Sequence, residues 1–145
     1  MQSAVDAWES LLRAQITLIK EFADDFRGGP VTMPEYDVLY TLTDCPPGGV
    51  RLHELADHVR LSQPGLSRLV ERMESNGLVR RERDPRDGRG TLVALTDAGR
   101  AVQQATGRRH ARSIITRVGT ALTPAEQTEL TRLCLKLRTP PPPPA

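Results

Sequence analysis

Apolar residues in the first part of the chain recur at spacings of three and four, the pattern of an amphipathic helix. This pattern predicts one long helix over residues 4–27, ended by Gly28, Gly29 and Pro30. A helix of that length spans about 36 Å, and its apolar stripe is too wide for one small domain to cover. The stripe therefore indicates packing against a partner helix.

Later helices carry recognisable start signals. Thr32 and Glu35 have the spacing of a capping box, Thr123 and Glu126 repeat it, and Ser62 has the form of an N-cap. Asn76-Gly77 is a typical helix end. The predicted helices after the first cover residues 33–43, 52–59, 63–76 and 97–118, the last of these capped by Thr96, and a final one begins after Thr123.

The period of the apolar positions changes after residue 76, between the fourth and fifth predicted helices of the whole chain. Residues 78–83 and 91–95 have the composition of two short strands, and the turn-rich residues 84–90 join them as a hairpin. The predicted fold class is therefore mainly α, with a small β-hairpin wing. Helix, short turn, helix and hairpin, in that order over residues 52–95, predict a winged helix-turn-helix.

The second helix of a helix-turn-helix lies in the DNA major groove, with its N-terminal half on the base edges. Glutamine pairs in two ways with adenine, and arginine does so with guanine. An ordinary solvated helix face is the alternative interpretation. The side chains left over once the apolar face is assigned to the core are Gln63, Pro64, Ser67, Arg68, Glu71 and Arg72.

Arginines on or beside the hairpin loop favour the DNA-binding interpretation. A loop-borne arginine fits a narrow minor groove, where negative potential is concentrated. Asp84 stands two residues before Arg86, where its carboxylate is expected to hold the Arg86 guanidinium in one rotamer. A charged turn with internal ion pairs is the alternative. The arginines of this region are Arg80, Arg81, Arg83, Arg86 and Arg89.

These motifs resemble the MarR family of bacterial transcription regulators. The resemblance rests on residues 61–70, 78–79, 84–86 and 95–99, within a specific stretch over 52–99. The flanking helices match the family only in pattern and length. The resemblance implies a homodimer in which the first and last helices of two chains interlock, bound to a pseudo-palindromic operator as a repressor.

The domain boundaries that follow are residues 1–30 and 100–138 for helical dimerisation, 31–99 for the DNA-binding lobe, and a disordered proline-rich tail over 139–145. The resemblance also assigns roles within the lobe. It implies that Arg86 is a minor-groove finger and that Arg89 contacts a phosphate. The residues predicted to bind DNA are Gln63, Pro64, Ser67, Arg68, Arg72, Asp84, Arg86 and Arg89.

A small-molecule effector is also implied by the resemblance, because family members bind anionic aromatic compounds beside the DNA-binding lobe. Trp8 is the only tryptophan of the chain and lies on the first helix, near the expected cleft. Packing in the dimer core is the alternative for Trp8. The sequence itself names no effector.

Charge is distributed unevenly over the 145 residues, although the net charge is only +2. Residues 1–50 carry 3 basic and 8 acidic side chains, and residues 101–145 carry 7 and 2. The basic part suits a polyanion. No apolar run has membrane-spanning length and no signal peptide is recognisable. Two cysteines are too few for a disulfide scaffold, which indicates a reducing compartment. The expected location is therefore the cytoplasm, on the nucleoid when DNA is bound.

Enzymatic chemistry has no support in the sequence, because no nucleophile–base spacing or phosphate-binding glycine loop occurs. No metal and no cofactor is expected: His53 and His58 are five residues apart, which does not place two ligands on one helical face. Two non-enzymatic alternatives stay open. One is a regulator that senses oxidants through a cysteine such as Cys45, and the other is a winged helix that binds protein.

Overall fold

The computed structural model describes residues 2–59, 61–88 and 90–139; Arg89 and the tail from residue 140 onward lie outside them. The order of the elements confirms the predicted mainly α fold with a hairpin wing. In chain order they are α1 (Gln2–Phe22), a 3-10 turn (Ala23–Phe26), α2 (Met33–Thr43), β1 (Val50–Arg51), α3 (Leu52–Ala56), α4 (Gln63–Ser75), β2 (Val79–Arg83), β3 (Thr91–Leu95), α5 (Asp97–Ala121) and α6 (Pro124–Arg138).

The chain forms two compact units, residues 1–109 and residues 110–145. The first contains α1 to α4, the sheet and the N-terminal part of α5, and the second contains the rest of α5 and α6. The predicted division into dimerisation and DNA-binding parts concerns a pair of chains and stays a prediction. Within the described residues, no helix combines the length and apolar character that a membrane span needs.

The three strands form one antiparallel sheet in the order β1-β3-β2. Val79 pairs with Leu95 and Arg83 with Thr91, so β2 and β3 make the hairpin that the sequence predicts. Strand β1 was not predicted, because two residues are too few to show an alternating pattern. It adds a third strand on the free side of β3, immediately before α3.

The hydrophobic core of the first unit lies between α2, α3, α4 and the sheet. Helix α4 buries one face at the spacing expected for an amphipathic helix. Each helix of the helix-turn-helix is thereby fixed against the same core, so the opposite face of α4 is held outward. The fully buried side chains of this core include Val38, Leu39, Leu55, Leu66, Val70, Met73, Val79 and Val93.

The junctions around α4 are closed by local hydrogen bonds. Ser62 caps the helix by accepting from the Gly65 N–H (3.2 Å). At the other end Gly77 has a φ of +72°, and the Leu78 N–H donates to the Met73 carbonyl (2.9 Å), which completes a Schellman turn. This turn leads directly into β2 and sets the angle between α4 and the wing.

Three predicted helix ends were wrong, and one of them is that of α5, which ends at Ala121 rather than residue 118. Helix α1 ends at Phe22 rather than residue 27, and a 3-10 turn follows it. Helix α3 ends at Ala56 rather than residue 59, because the N–H groups of Asp57 and His58 bond three residues back and tighten the chain into a turn. Helix ends depend on such local tightening, which apolar spacing does not report.

Candidate nucleic-acid interface

The outward face of α4 presents the predicted recognition residues. Gln63, Pro64 and Arg68 are exposed, and Ser67 is half-buried. Their outward direction follows from burial of Leu66 and its neighbours on the opposite face. No side-chain hydrogen bond or ion pair of Arg68 to another described residue is recorded, so its guanidinium is available to an external acceptor.

Arg72 lies on the same helix but has an internal partner. Its Nε donates to Oε1 of Glu35 on α2 at 3.0 Å. The Glu35 side chain is only 8% exposed, whereas that of Arg72 is 59% exposed. Burial acts to raise the pKa of Glu35, but hydrogen bonds from Thr32 and Arg72 outweigh it and bring that pKa below 4.5. The carboxylate is therefore ionised at neutral pH and holds Arg72.

The wing tip is closed by backbone hydrogen bonds between the ends of the loop. The Asp84 N–H donates to the Gly90 carbonyl (2.9 Å), and the Gly90 N–H donates to the Asp87 carbonyl (2.8 Å). Together with the paired strands, these bonds give the loop a definite path. Arg86 lies exposed at this tip, with no side-chain hydrogen bond or ion pair recorded among the described residues.

Asp84 organises the tip in a different way from the predicted one. The expectation was that its carboxylate holds the Arg86 guanidinium, but Oδ1 accepts from the Arg86 backbone N–H instead (2.9 Å). Oδ2 accepts from Arg51 Nε (2.8 Å). The turn places the backbone amide of Arg86, rather than its guanidinium, over the Asp84 carboxylate. These two bonds, the Arg86 one foremost, lower the pKa of Asp84.

Arg51 is a contributor that the sequence did not reveal. It lies on β1, far from the wing in the chain, and its Nη2 is 2.7 Å from Asp84 Oδ2. A weaker approach of 3.8 Å links the same nitrogen to Asp87. Asp84 is buried, with 5% of its surface exposed, so this pair is placed to support the loop rather than to contact a ligand directly.

Two of the hairpin arginines have internal partners. Arg80 bonds to Glu82 through Nε and donates to the carbonyl oxygens of Leu95 and Pro47. Arg81 donates to Glu74 (2.7 Å), which ties β2 to the end of α4. The alternative of internal ion pairing is thus correct for these two side chains. Arg89 lies outside the described residues.

A cleft of about 320 Å³ brings the start of α4 and the base of the wing together. Gln63 lines it from α4, Thr91 from β3 and His53 from α3. His53 was considered only as a metal ligand in the sequence. Its position beside Gln63 makes it a polar group of the same surface. Trp8, in contrast, lies on α1 with 62% of its surface exposed.

Other candidate chemistry is separate from this surface. Among the described residues, no group of three histidine, cysteine or acidic side chains gathers as a metal site. Cys45 is half-buried, and its Sγ donates to the Thr41 carbonyl (3.2 Å). Burial, with the negative charges of Asp44 and Glu54, raises the pKa of the Cys45 thiol.

Comparison with known proteins points to one family. The MarR family model matches residues 30–90, which include α2 to α4, β2 and the wing loop and end before β3. The transcriptional regulator HosA of Escherichia coli O111:H- is 36% identical over 72 residues. Those residues are 50% of this chain and 52% of HosA, so the chain spans about half the length of the curated relatives it matches.

Solved structures extend the similarity to nearly the whole fold. Sco3205, a MarR family regulator of Streptomyces coelicolor solved with DNA, has a TM-score of 0.80 and 29% identity over 94% of this chain and 86% of its own. BpsR of Bordetella bronchiseptica, whose DNA binding is regulated by 6-hydroxynicotinic acid, has a TM-score of 0.78 and 26% identity over 92% and 93%. In the residues that the family model matches and in its fold, the chain is similar to MarR family regulators.

Proposed function

We propose that the chain is a transcriptional regulator that binds double-stranded DNA through α4 and the wing. The observation that carries this proposal is the exposure of Arg68 on α4 and Arg86 on the wing, both without an internal ion pair among the described residues. Unpaired arginines held on rigid elements lose little internal bonding when they contact DNA. The similarity to Sco3205, solved with DNA, supports the same role.

Base reading is assigned to the N-terminal part of α4. Arg68 can donate two hydrogen bonds to the edge of a guanine, and Gln63 can pair in two ways with adenine. Pro64 and Gly65 allow close approach of the backbone, and Ser67 is assigned to the recognition surface beside Arg68. Arg72, farther along α4, is assigned to a phosphate.

The wing is assigned to the adjacent minor groove. Arg86 enters the groove, where the negative potential of A·T stretches is strongest. Asp84 acts from inside the protein by holding the Arg86 backbone amide and Arg51. Arg89 is proposed as a phosphate contact.

A homodimer is proposed because apolar side chains remain exposed on helices outside the DNA-binding lobe. Val5 and Ile16 of α1 each have 46% or more of their surface exposed, and Leu137 of α6 has 72%. Covering them requires a second surface, and a second copy of the chain supplies a self-complementary one. A two-fold dimer would read two half-sites about 34–36 Å apart.

Release by a small anionic aromatic effector is the regulatory part of the proposal, with repression as its sign. It is supported by BpsR, whose DNA binding responds to 6-hydroxynicotinic acid. One form of the dimer fits DNA and another does not. An effector that binds more tightly to the form that does not fit DNA releases the protein from DNA. Trp8 is the aromatic candidate for contact with such a compound.

DNA binding is tested by fluorescence anisotropy with labelled DNA from immediately upstream of the gene and with mixed-sequence DNA of equal length. We expect a preference of about 10³-fold or more for the upstream DNA, as in other specific binders. Equal, weak binding to both DNAs at low and at physiological salt would contradict sequence-specific regulation from this site. Adding aromatic carboxylates to the specific complex then tests release.

A further inference from the structure

The Glu35 carboxylate joins two elements of the DNA-binding lobe with its two oxygens. Oε2 accepts from the backbone N–H of Thr32 (2.8 Å) and from its hydroxyl (3.0 Å), which caps α2. Oε1 accepts from Arg72 Nε (3.0 Å), 37 residues later on α4. A capping-box glutamate normally serves only its own helix. Here the same group also reaches the helix that carries Arg68.

The contact leaves the outer edge of Arg72 unused. Only Nε is bonded to Glu35, and no other side-chain hydrogen bond or ion pair of Arg72 is recorded among the described residues. The guanidinium is planar, so fixing Nε sets the direction of the two terminal nitrogens. Arg72 follows Arg68 by four residues, on the same exposed side of α4 and about 6 Å along the axis.

We infer that Glu35 is a positioning residue for DNA binding, which aims the terminal nitrogens of Arg72 at a backbone phosphate beside the base-reading part of α4. The inference rests on the proposed DNA-binding function. According to this inference, the buried and negatively charged Glu35 strengthens binding to DNA, although it lies outside the predicted interface. Simple electrostatics predicts the opposite, because removing a negative charge near DNA ordinarily favours binding.

The chain contains a matched control for the capping role. Glu126 caps α6 with the same geometry: it accepts from the Thr123 N–H and hydroxyl, both at 2.8 Å. The bonds recorded for the Glu126 carboxylate all come from Thr123, without an arginine among the described residues. Glu126→Gln therefore removes a capping carboxylate of the same kind and leaves Arg72 held.

Glu35→Gln removes the double function because an amide has one acceptor oxygen and cannot accept at both ends. The probe is a labelled mixed-sequence duplex of about three helical turns, titrated by anisotropy over a range of salt concentrations. We expect Glu35→Gln and Arg72→Gln each to weaken binding by about three- to tenfold and to lower the magnitude of the salt slope by up to about one unit. The double variant should bind no more weakly than Arg72→Gln alone.

Glu126→Gln should keep the wild-type affinity and slope, although it also loses the negative charge of a capping side chain. Unchanged or tighter binding by Glu35→Gln, with an unchanged slope, would overturn the inference and leave Glu35 as a cap only. If Glu35→Gln does not fold by circular dichroism, Arg72→Gln carries the test, and an unchanged slope for it overturns the inference. Wild-type protein that binds no duplex at all would instead overturn the proposed function.

Discussion

Arg51 and Asp84, 33 residues apart in the chain, form an ion pair with 2.7 Å between Arg51 Nη2 and Asp84 Oδ2. The pair joins β1, which leads into α3, to the first residue of the wing tip. Asp84 also accepts from the Arg86 backbone N–H, so one buried carboxylate fixes both the base and the path of the loop. The direction of Arg86 therefore depends on a residue in another element.

Loss of the Asp84 charge should loosen the wing. Asp84→Asn replaces a carboxylate that accepts on both oxygens by a side chain with one acceptor, so the Arg86 amide and Arg51 cannot both be satisfied. We expect faster hydrogen exchange at the amides of residues 85–88 and DNA binding weakened by about tenfold, with the helical circular dichroism unchanged.

Glu82→Gln is the control for the wing, because it removes an exposed carboxylate from β2 and leaves the tip bonds intact. Its amide hydrogen exchange and its DNA affinity should equal those of the wild type. If amide hydrogen exchange at residues 85–88 is unchanged in Asp84→Asn, the strands alone hold the loop.

Close approach of α5 to the turn before β2 makes Gly99 sensitive to a single added carbon. A Cβ at Gly99 would collide with the Leu78 carbonyl oxygen, and that turn cannot move freely because Thr96 Oγ1 also bonds to it. Gly99→Ala should lower the free energy of unfolding by about 1–3 kcal/mol in urea denaturation. Gly88→Ala, where an added carbon meets nothing within 4 Å, should stay near the wild-type value.

The pKa of Glu35 gives a pH dependence of stability with a definite sign. Its folded-state pKa lies below the ordinary 4.5, so its contribution is fully present above pH 4.5 and is lost as the pH falls through the lower folded value. Urea denaturation should find Glu35→Gln less stable than wild type at pH 7. The difference should shrink at more acidic pH, and a constant difference down to about pH 3 would contradict the ionised state.

Cys45 should not respond to oxidants at neutral pH. A raised pKa keeps the thiol protonated, and thiolate is the form that reacts with peroxide or iodoacetamide. We expect mass spectrometry to show that Cys45 is alkylated more slowly in the native protein than in urea. We also expect the DNA affinity to be insensitive to hydrogen peroxide. Peroxide-induced release of DNA that disappears in Cys45→Ser would favour the redox-sensing alternative.

Local signals were sufficient to predict most of the helices and strands between residues 31 and 99. Ser62 and Gly77 define the ends of α4 because a cap and a positive-φ glycine act within a few residues of their own position. The hairpin was recognisable for the same reason: its turn residues and the change of period lie together in the sequence. The family resemblance added the roles of residues that these signals place on the surface.

Pairs that are distant in the chain were not predictable. Nothing near Arg51 indicates Asp84, and nothing near Glu35 indicates Arg72, because each pair forms only after the helices and the sheet pack on the common core. Asp84 was correctly placed beside Arg86, yet which part of Arg86 it holds depends on the path of the turn. Strand β1 was missed because it exists only through pairing with β3.

The central claim is that α4 reads bases while the wing contacts DNA without strong sequence preference. Two alanine variants, measured in parallel, test this claim most directly. Arg68→Ala and Arg86→Ala are titrated against the upstream DNA, single-base variants of it and mixed-sequence DNA, with Arg27→Ala, an exposed arginine paired to Asp24, as the control. Arg68→Ala should cost about 1–3 kcal/mol and relax the preference at one base position per half-site. Arg86→Ala should weaken binding to most sequences and lower the salt slope by about one unit. Equal weakening on all sequences by Arg68→Ala, together with an unchanged slope for Arg86→Ala, would contradict this assignment of the interface.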